Sequence, residues 1–127
     1  MAHYLLSAEA NFSAAHTLPG VEMCDRLHGH NWRVRLTVRV EEDSLSKTSM
    51  GVDFRVIEDI AKSTVADFEH QYLNDLEPFK GYTPSAERLA KVICSRARDR
   101  LIAAGQNAAI DQIEVWEMPQ YRVVYRP

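Results

Sequence analysis

Two stretches of strict alternation constrain this 127-residue chain more than any other feature. From Tyr4 to His16 the even positions are Tyr4, Leu6, Ala8, Ala10, Phe12, Ala14 and His16, with Ser7, Glu9, Asn11 and Ser13 between them. Further on, Trp32, Val34, Leu36, Val38 and Val40 alternate with Arg33, Arg35, Thr37 and Arg39, and His28 and His30 keep the phase of the apolar set. A side-chain period of two is that of a half-buried strand. Residues 17–27 contain Pro19, Gly20 and Asp25 without periodicity, so they read as a loop joining the strands into an antiparallel hairpin. His16, His28 and His30 then point toward one interior.

The rest of the chain changes period. After a polar turn over Glu41–Ser49, Ile57, Ile60, Ala61, Thr64, Val65 and Phe68 recur at steps of three and four, which predicts an amphipathic helix capped by Asp53 and ending near Glu69-His70. Tyr72–Tyr82, with Pro78 and Gly81, reads as a loop. A second helix is predicted to begin at Thr83-Pro84, with threonine capping and proline at the first helical position, and to end before Gly105. Its apolar face is Ala86, Leu89, Ala90, Ile93, Ala97 and Leu101; Arg88, Lys91, Arg96, Arg98 and Arg100 form a solvated face rather than an anion site. Ile113–Glu117 and Arg122–Tyr125 flank Met118-Pro119-Gln120 as a terminal hairpin. Strands and helices are segregated along the chain, so the class is α+β with a four-stranded antiparallel sheet, in one domain spanning 1–127.

The net charge of −3 lacks the cationic surplus with which nonspecific nucleic-acid or anionic-membrane binders attract their partners. A small molecule or a protein is the expected partner. No apolar run reaches the roughly 20 residues a bilayer demands, and Met1–Ser7 has no signal-peptide pattern, so a cytoplasmic protein is expected. Cys24 and Cys94 are then free thiols.

Residues two apart on a strand lie about 6.6 Å apart and face the same way, so His28 and His30 can converge on one ion only if that segment is extended. With His16 they make three imidazole donors, which suits a catalytic zinc with an open fourth position. A single in-phase histidine reads better as a hydrogen-bonded core residue, but three of the chain's five histidines share this phase. Cys24 can complete a closed structural site or act as a nucleophile or base beside the metal, and spacing leaves both roles open. Cys94, inside the second helix, is a packing residue. Glu69-His70 can form a carboxylate–imidazole pair for proton transfer, although such neighbours are common by chance. Glu117 shares the phase of Ile113 and Val115; buried there, it requires a charged partner or a ligand edge with two aligned N–H donors.

Taken in order, His16 in Phe12-Ser-Ala-Ala-His16, Cys24-x-x-x-His28-Gly29-His30, Val52-Asp53-Phe54, Glu69-His70-x-Tyr72-Leu73-Asn74, Pro84-Ser85-Ala86-Glu87 and Val115-Trp116-Glu117 resemble the 6-pyruvoyltetrahydropterin synthase and 6-carboxytetrahydropterin synthase family. The resemblance runs nearly end to end. It implies a tunnel-type fold (T-fold), with two helices on one face of the sheet, assembled as a homohexamer of two stacked trimers with sites between subunits. It implies Zn2+ on His16, His28 and His30, Cys24 as the base, His70 with Glu69 as a proton relay, and Glu117 as the anchor of the pterin ring. Ser85, within its motif, and Arg26, beside the Cys-His motif, are the further substrate-binding candidates. The implied substrate is 7,8-dihydroneopterin triphosphate. The three residues between Cys24 and His28 are similar to the carboxy enzymes of queuosine biosynthesis, whose products are carboxytetrahydropterin, acetaldehyde and triphosphate.

The close alternative is a pyruvoyl-type enzyme or another pterin side-chain lyase; a noncatalytic zinc or pterin-binding module is the alternative of another class. Three residues depart from the family pattern: Glu69 stands where aspartate is usual, Ala86 where a hydroxyl residue is usual, and Met118 where threonine is common. The last two remove hydrogen bonds each worth about 0.5–1.5 kcal/mol, and bear on substrate choice.

Overall fold

In the computed structural model, which describes residues 2–127, the two alternating segments are the longest strands, β1 (His3–His16) and β2 (His28–Glu41). They pair antiparallel with His16 opposite His28 and Ala14 opposite His30. Their even positions from Ala10 and Trp32 onward are buried under the helices, and Glu9, Asn11, Arg33 and Arg35 lie on the other face.

Helix α1 (Phe54–Ala66) packs chiefly on β1, and its N-cap Asp53 accepts from the Arg55 N–H at 2.8 Å. It ends earlier than its periodicity predicts, and Phe68 enters the core from the turn that follows. Helix α2 (Ala86–Ala103) packs on the strand after it, β4 (Ala109–Met118), which pairs with β5 (Tyr121–Tyr125). Trp32, Phe68, Phe79, Ile57, Leu89 and Ile113 are fully enclosed between helices and sheet. Each such side chain contributes about 1.5–3 kcal/mol. Gly105, at φ 69°, takes the left-handed conformation that ends α2 as expected.

Two expectations are corrected. The sheet has five strands and is mixed, in the order β3-β1-β2-β4-β5, because β3 (Gln71–Tyr72) runs parallel to β1 beside Ala14 and Ala15. Its two residues carry no period to read; His70, in the left-handed region at φ 56°, turns the chain, and its N–H donates to the Ser13 carbonyl at 2.7 Å. Helix α2 begins at Ala86, not at Thr83-Pro84. Ser85 is the cap, its hydroxyl accepting from the Arg88 N–H at 3.1 Å, and the Pro84 carbonyl is bonded elsewhere. Among the described residues no helix is long and apolar enough to cross a membrane.

Candidate metal centre and active site

The β1–β2 register brings three imidazoles to one end of the hairpin. His16, His28 and His30 each offer a ring nitrogen, and these nitrogens lie within 4.8 Å of one another. Backbone carbonyls fix two of the rings: His16 Nδ1 donates to Pro84 O at 2.8 Å and His28 Nδ1 to Arg26 O at 2.7 Å. An Nδ1–H held this way leaves Nε2 as a free electron-pair donor. Trp32 stands edge-on to His16 and His30, each ring centroid 5.2 Å away, and its own indole N–H donates to Ala14 O at 3.3 Å.

His16 Nε2 and His30 Nε2 are buried without a hydrogen-bond partner. A buried polar atom left so costs about 1–3 kcal/mol unless something occupies the site. Burial also pushes both imidazoles below their ordinary pKa, opposed at His16 by the Pro84 carbonyl and at both rings by Glu117, so the neutral, metal-binding form is favoured. Three imidazole nitrogen donors, two of them buried without a partner, fit a divalent metal ion.

The other expected residues fall around this centre. Cys24 is half-buried in the 17–27 loop, whose fold is closed by Leu18 N–H donating to Cys24 O at 2.7 Å. Its thiol is not among the converging donors. Cys94 is buried in α2, and burial pushes its thiol up, as expected of a packing residue. Glu117 reaches the centre from β4, its carboxylate 3.8 Å from His16 Nε2 and 3.7 Å from His30 Nε2. It also lines a cleft of about 290 Å³ with Leu18, Ser85, Tyr121 and Arg122. Ser85 thus borders that cleft while capping α2. Arg26 has an exposed side chain, and what it gives the centre is its carbonyl.

His70 is 81% exposed and lies 3.2 Å from Glu69 Oε1 through Nε2. It borders an open cleft of about 470 Å³ that also touches His30, Gly29 and Tyr72.

The profile of the 6-pyruvoyl tetrahydropterin synthase family matches residues 5–127. The chain belongs to that family. The 6-carboxy-5,6,7,8-tetrahydropterin synthase of Bacillus subtilis is 31% identical over 128 residues, covering 96% of this chain and 84% of that protein. The enzyme of the same name from Synechocystis is 35% identical over 102 residues, 76% of each chain. Among solved structures, Caenorhabditis elegans 6-pyruvoyl tetrahydropterin synthase superposes with a TM-score of 0.84 at 20% identity, over 100% of this chain and 97% of that one, and so shares its fold.

Two of the departures from the tetrahydropterin synthase pattern have visible settings. The Glu69 carboxylate accepts from the Ser13 N–H at 3.3 Å, tying the turn to β1. Ala86 borders the Glu117 cleft, which its methyl leaves without a hydroxyl at that position. Met118 follows Glu117 with an exposed side chain.

One supporting residue escaped the sequence reading. The Asn74 amide accepts from Thr17 N–H at 2.9 Å and donates to Thr17 O and Oγ1, both at 3.0 Å, while Tyr72 OH meets Thr17 Oγ1 at 3.0 Å. This clasp fixes the residue directly after His16. Asn74 closes the Glu69-His70-x-Tyr72-Leu73-Asn74 motif, but only the fold reveals its partner.

Proposed function

We propose that this tetrahydropterin synthase family member is a zinc-dependent 6-carboxy-5,6,7,8-tetrahydropterin synthase. It converts 7,8-dihydroneopterin triphosphate to carboxytetrahydropterin, acetaldehyde and triphosphate, in 7-deazaguanine (queuosine) biosynthesis in the cytoplasm. The observation that carries this reading is the convergence of three imidazoles, two of them with buried, unpartnered Nε2 atoms. The names of the Bacillus subtilis and Synechocystis relatives, and the three residues between Cys24 and His28, favour the carboxy product over the pyruvoyl one.

In this reading His16, His28 and His30 hold Zn2+, which supplies Lewis acidity toward the side-chain oxygens of the substrate. Glu117 orients the pterin by accepting from two aligned N–H groups of the ring, a bidentate arrangement that fixes angle as well as position. Cys24, carried on the loop between the two ligand strands, removes a proton from the substrate side chain as thiolate. The exposed Glu69–His70 pair carries protons on and off, its imidazole polarised by the carboxylate 3.2 Å away. Its exposure suits a pair that completes a site on a neighbouring subunit of a homohexamer. Ser85 and Arg26 are the remaining candidates for substrate contact, Arg26 toward the triphosphate.

Incubation with 7,8-dihydroneopterin triphosphate and mass analysis of the products tests the assignment. Carboxytetrahydropterin with acetaldehyde is expected; a pyruvoyl product would reassign the activity, and no turnover by zinc-loaded protein would favour a noncatalytic module. Cys24→Ala is expected to keep zinc and lose turnover, whereas loss of zinc would make the thiol a structural ligand.

A further inference from the structure

The basic residues of α2 do not form one uniform solvated face. Arg96 and Arg100 are committed to Asp67, at 2.6 and 3.2 Å, and Arg98 is exposed. Those two are the ion pairs the helix makes, so Arg88 and Lys91 are left without a carboxylate among the described residues. Arg88, Lys91 and Ser95 follow one another at steps of three and four, which places them on one side of the helix. With Pro78, Val92 and Arg96 they line a cleft of about 340 Å³. None of these residues borders either cleft at the histidine centre. Glu87, the neighbour of Arg88, lines the Ser85 cleft instead, and Glu77, the neighbour of Pro78, is exposed outside the lining.

Arg88 is held in an unusual setting. Its guanidinium lies 3.6 Å from the centroid of the Tyr82 ring, a stacked contact that fixes the plane of the fork. Its Nε is buried and has no hydrogen-bond partner. A donor so placed has given up water without gaining an acceptor, which buried polar groups seldom do. Arg88 also stands in the first turn of α2, where the helix dipole disfavours a cation and favours an anion. An anion in the cleft relieves both costs at once. The chain as a whole carries a charge of −3, so a cleft lined by Arg88, Lys91 and Arg96 and by no acid runs against its overall balance.

We infer that this cleft is a second ligand site, which takes a polyphosphate group, free or carried by a nucleotide. The Arg88 fork matches two oxygens of one phosphate, the Lys91 ammonium adds a point charge one turn further along, and the Ser95 hydroxyl donates beyond it. From Arg88 to Ser95 the helix axis advances about 10 Å, which suits a chain of phosphates better than a single one. The site depends neither on a metal at the histidines nor on the reaction proposed above.

Titration calorimetry at low ionic strength, with sodium tripolyphosphate, orthophosphate and ATP as probes, tests it. The wild type is expected to bind tripolyphosphate more tightly than orthophosphate, and Arg88→Gln to weaken that binding about tenfold. Arg88→Lys keeps the charge without the fork and is expected to fall between the two. Lys91 is exposed, so Lys91→Gln tests the site without disturbing the fold, and a loss of about threefold or more is expected. Arg26→Ala is expected to leave the affinity unchanged, which separates this cleft from a triphosphate contact beside Cys24. ATP binding as tightly as tripolyphosphate would support a site that reads the phosphates alone; tighter binding of ATP would support a nucleotide as their carrier. Wild-type affinity in both Arg88→Gln and Lys91→Gln, or orthophosphate bound as tightly as tripolyphosphate, would overturn the inference.

Discussion

His16 Nδ1 donates to the carbonyl oxygen of Pro84 at 2.8 Å, tying the end of β1 to the residue just before the cap of α2. One bond thus sets the tautomer of a candidate ligand and explains why Pro84 lies outside the helix. His16→Ala removes a candidate metal donor and leaves a buried carbonyl unpaired, a loss of about 1–3 kcal/mol from the latter alone. Metal analysis is expected to find the variant without stoichiometric zinc. A chelator should lower the melting temperature of the wild type and leave that of the variant unchanged, because under the proposed function only the former has bound metal to lose.

Asn74→Ala deletes three hydrogen bonds to Thr17. At about 0.5–1.5 kcal/mol each, with partial replacement by water at this half-buried site, a loss of about 1–3 kcal/mol is expected in denaturant unfolding. Asn74→Asp keeps the acceptor but turns a carboxylate toward the Thr17 carbonyl, so it should recover little of that loss. Full stability in Asn74→Ala would show the clasp to be dispensable.

Asp67 accepts from Arg96 at 2.6 Å and from Arg100 at 3.2 Å, joining the C-terminus of α1 to α2 just ahead of Glu69-His70. All three side chains are about a third exposed, so solvent screens the cluster and Asp67→Asn is expected to cost only about 1 kcal/mol. The difference from wild type should shrink between low salt and 1 M salt, where the screening length is about 3 Å. A cost that did not change with salt would assign the effect to hydrogen bonding alone.

The Arg55 guanidinium and backbone N–H lower the Asp53 carboxyl to about 2. A carboxyl depressed in the folded state binds its proton later than in the unfolded chain, so its contribution is complete above the ordinary aspartate range and fades as pH falls toward about 2. Asp53→Asn keeps a good cap without the charge. Its melting temperature should fall below that of wild type at pH 6 and approach it by pH 3; a gap that widens on acidification would contradict this sign.

The hairpin and its three histidines were legible because a strand has a period, and a polar residue in phase with a buried row is conspicuous. Both helices were legible for the same reason at period 3.6, but their ends were not. Thr83, Pro84 and Ser85 are all acceptable near a helix start, and the choice of Ser85 depends on His16 claiming the Pro84 carbonyl across 68 residues. Strand β3 is two residues long and exists through the turn at His70 and its bond to Ser13, neither of which leaves a local pattern. The approach of Glu117 to His16 and His30 follows from its phase on β4, yet the register shift between Trp116 and Met118 shows only in the pairing with β5. Asn74 illustrates the general limit: a side chain whose whole purpose is a distant backbone cannot announce its partner.

The 17–27 loop begins and ends at His16 and His28, which face each other across the β1–β2 ladder. Its ends are therefore fixed by strand register and not by its own length. Closing a longer loop between fixed ends is inexpensive, about 0.6 kcal/mol for each doubling. The segment that carries Cys24 is thus free to lengthen, shorten and change sequence in evolution while the three imidazoles stay in place. A scaffold of this kind can vary the groups that face the histidine cluster without rebuilding the strands that hold it.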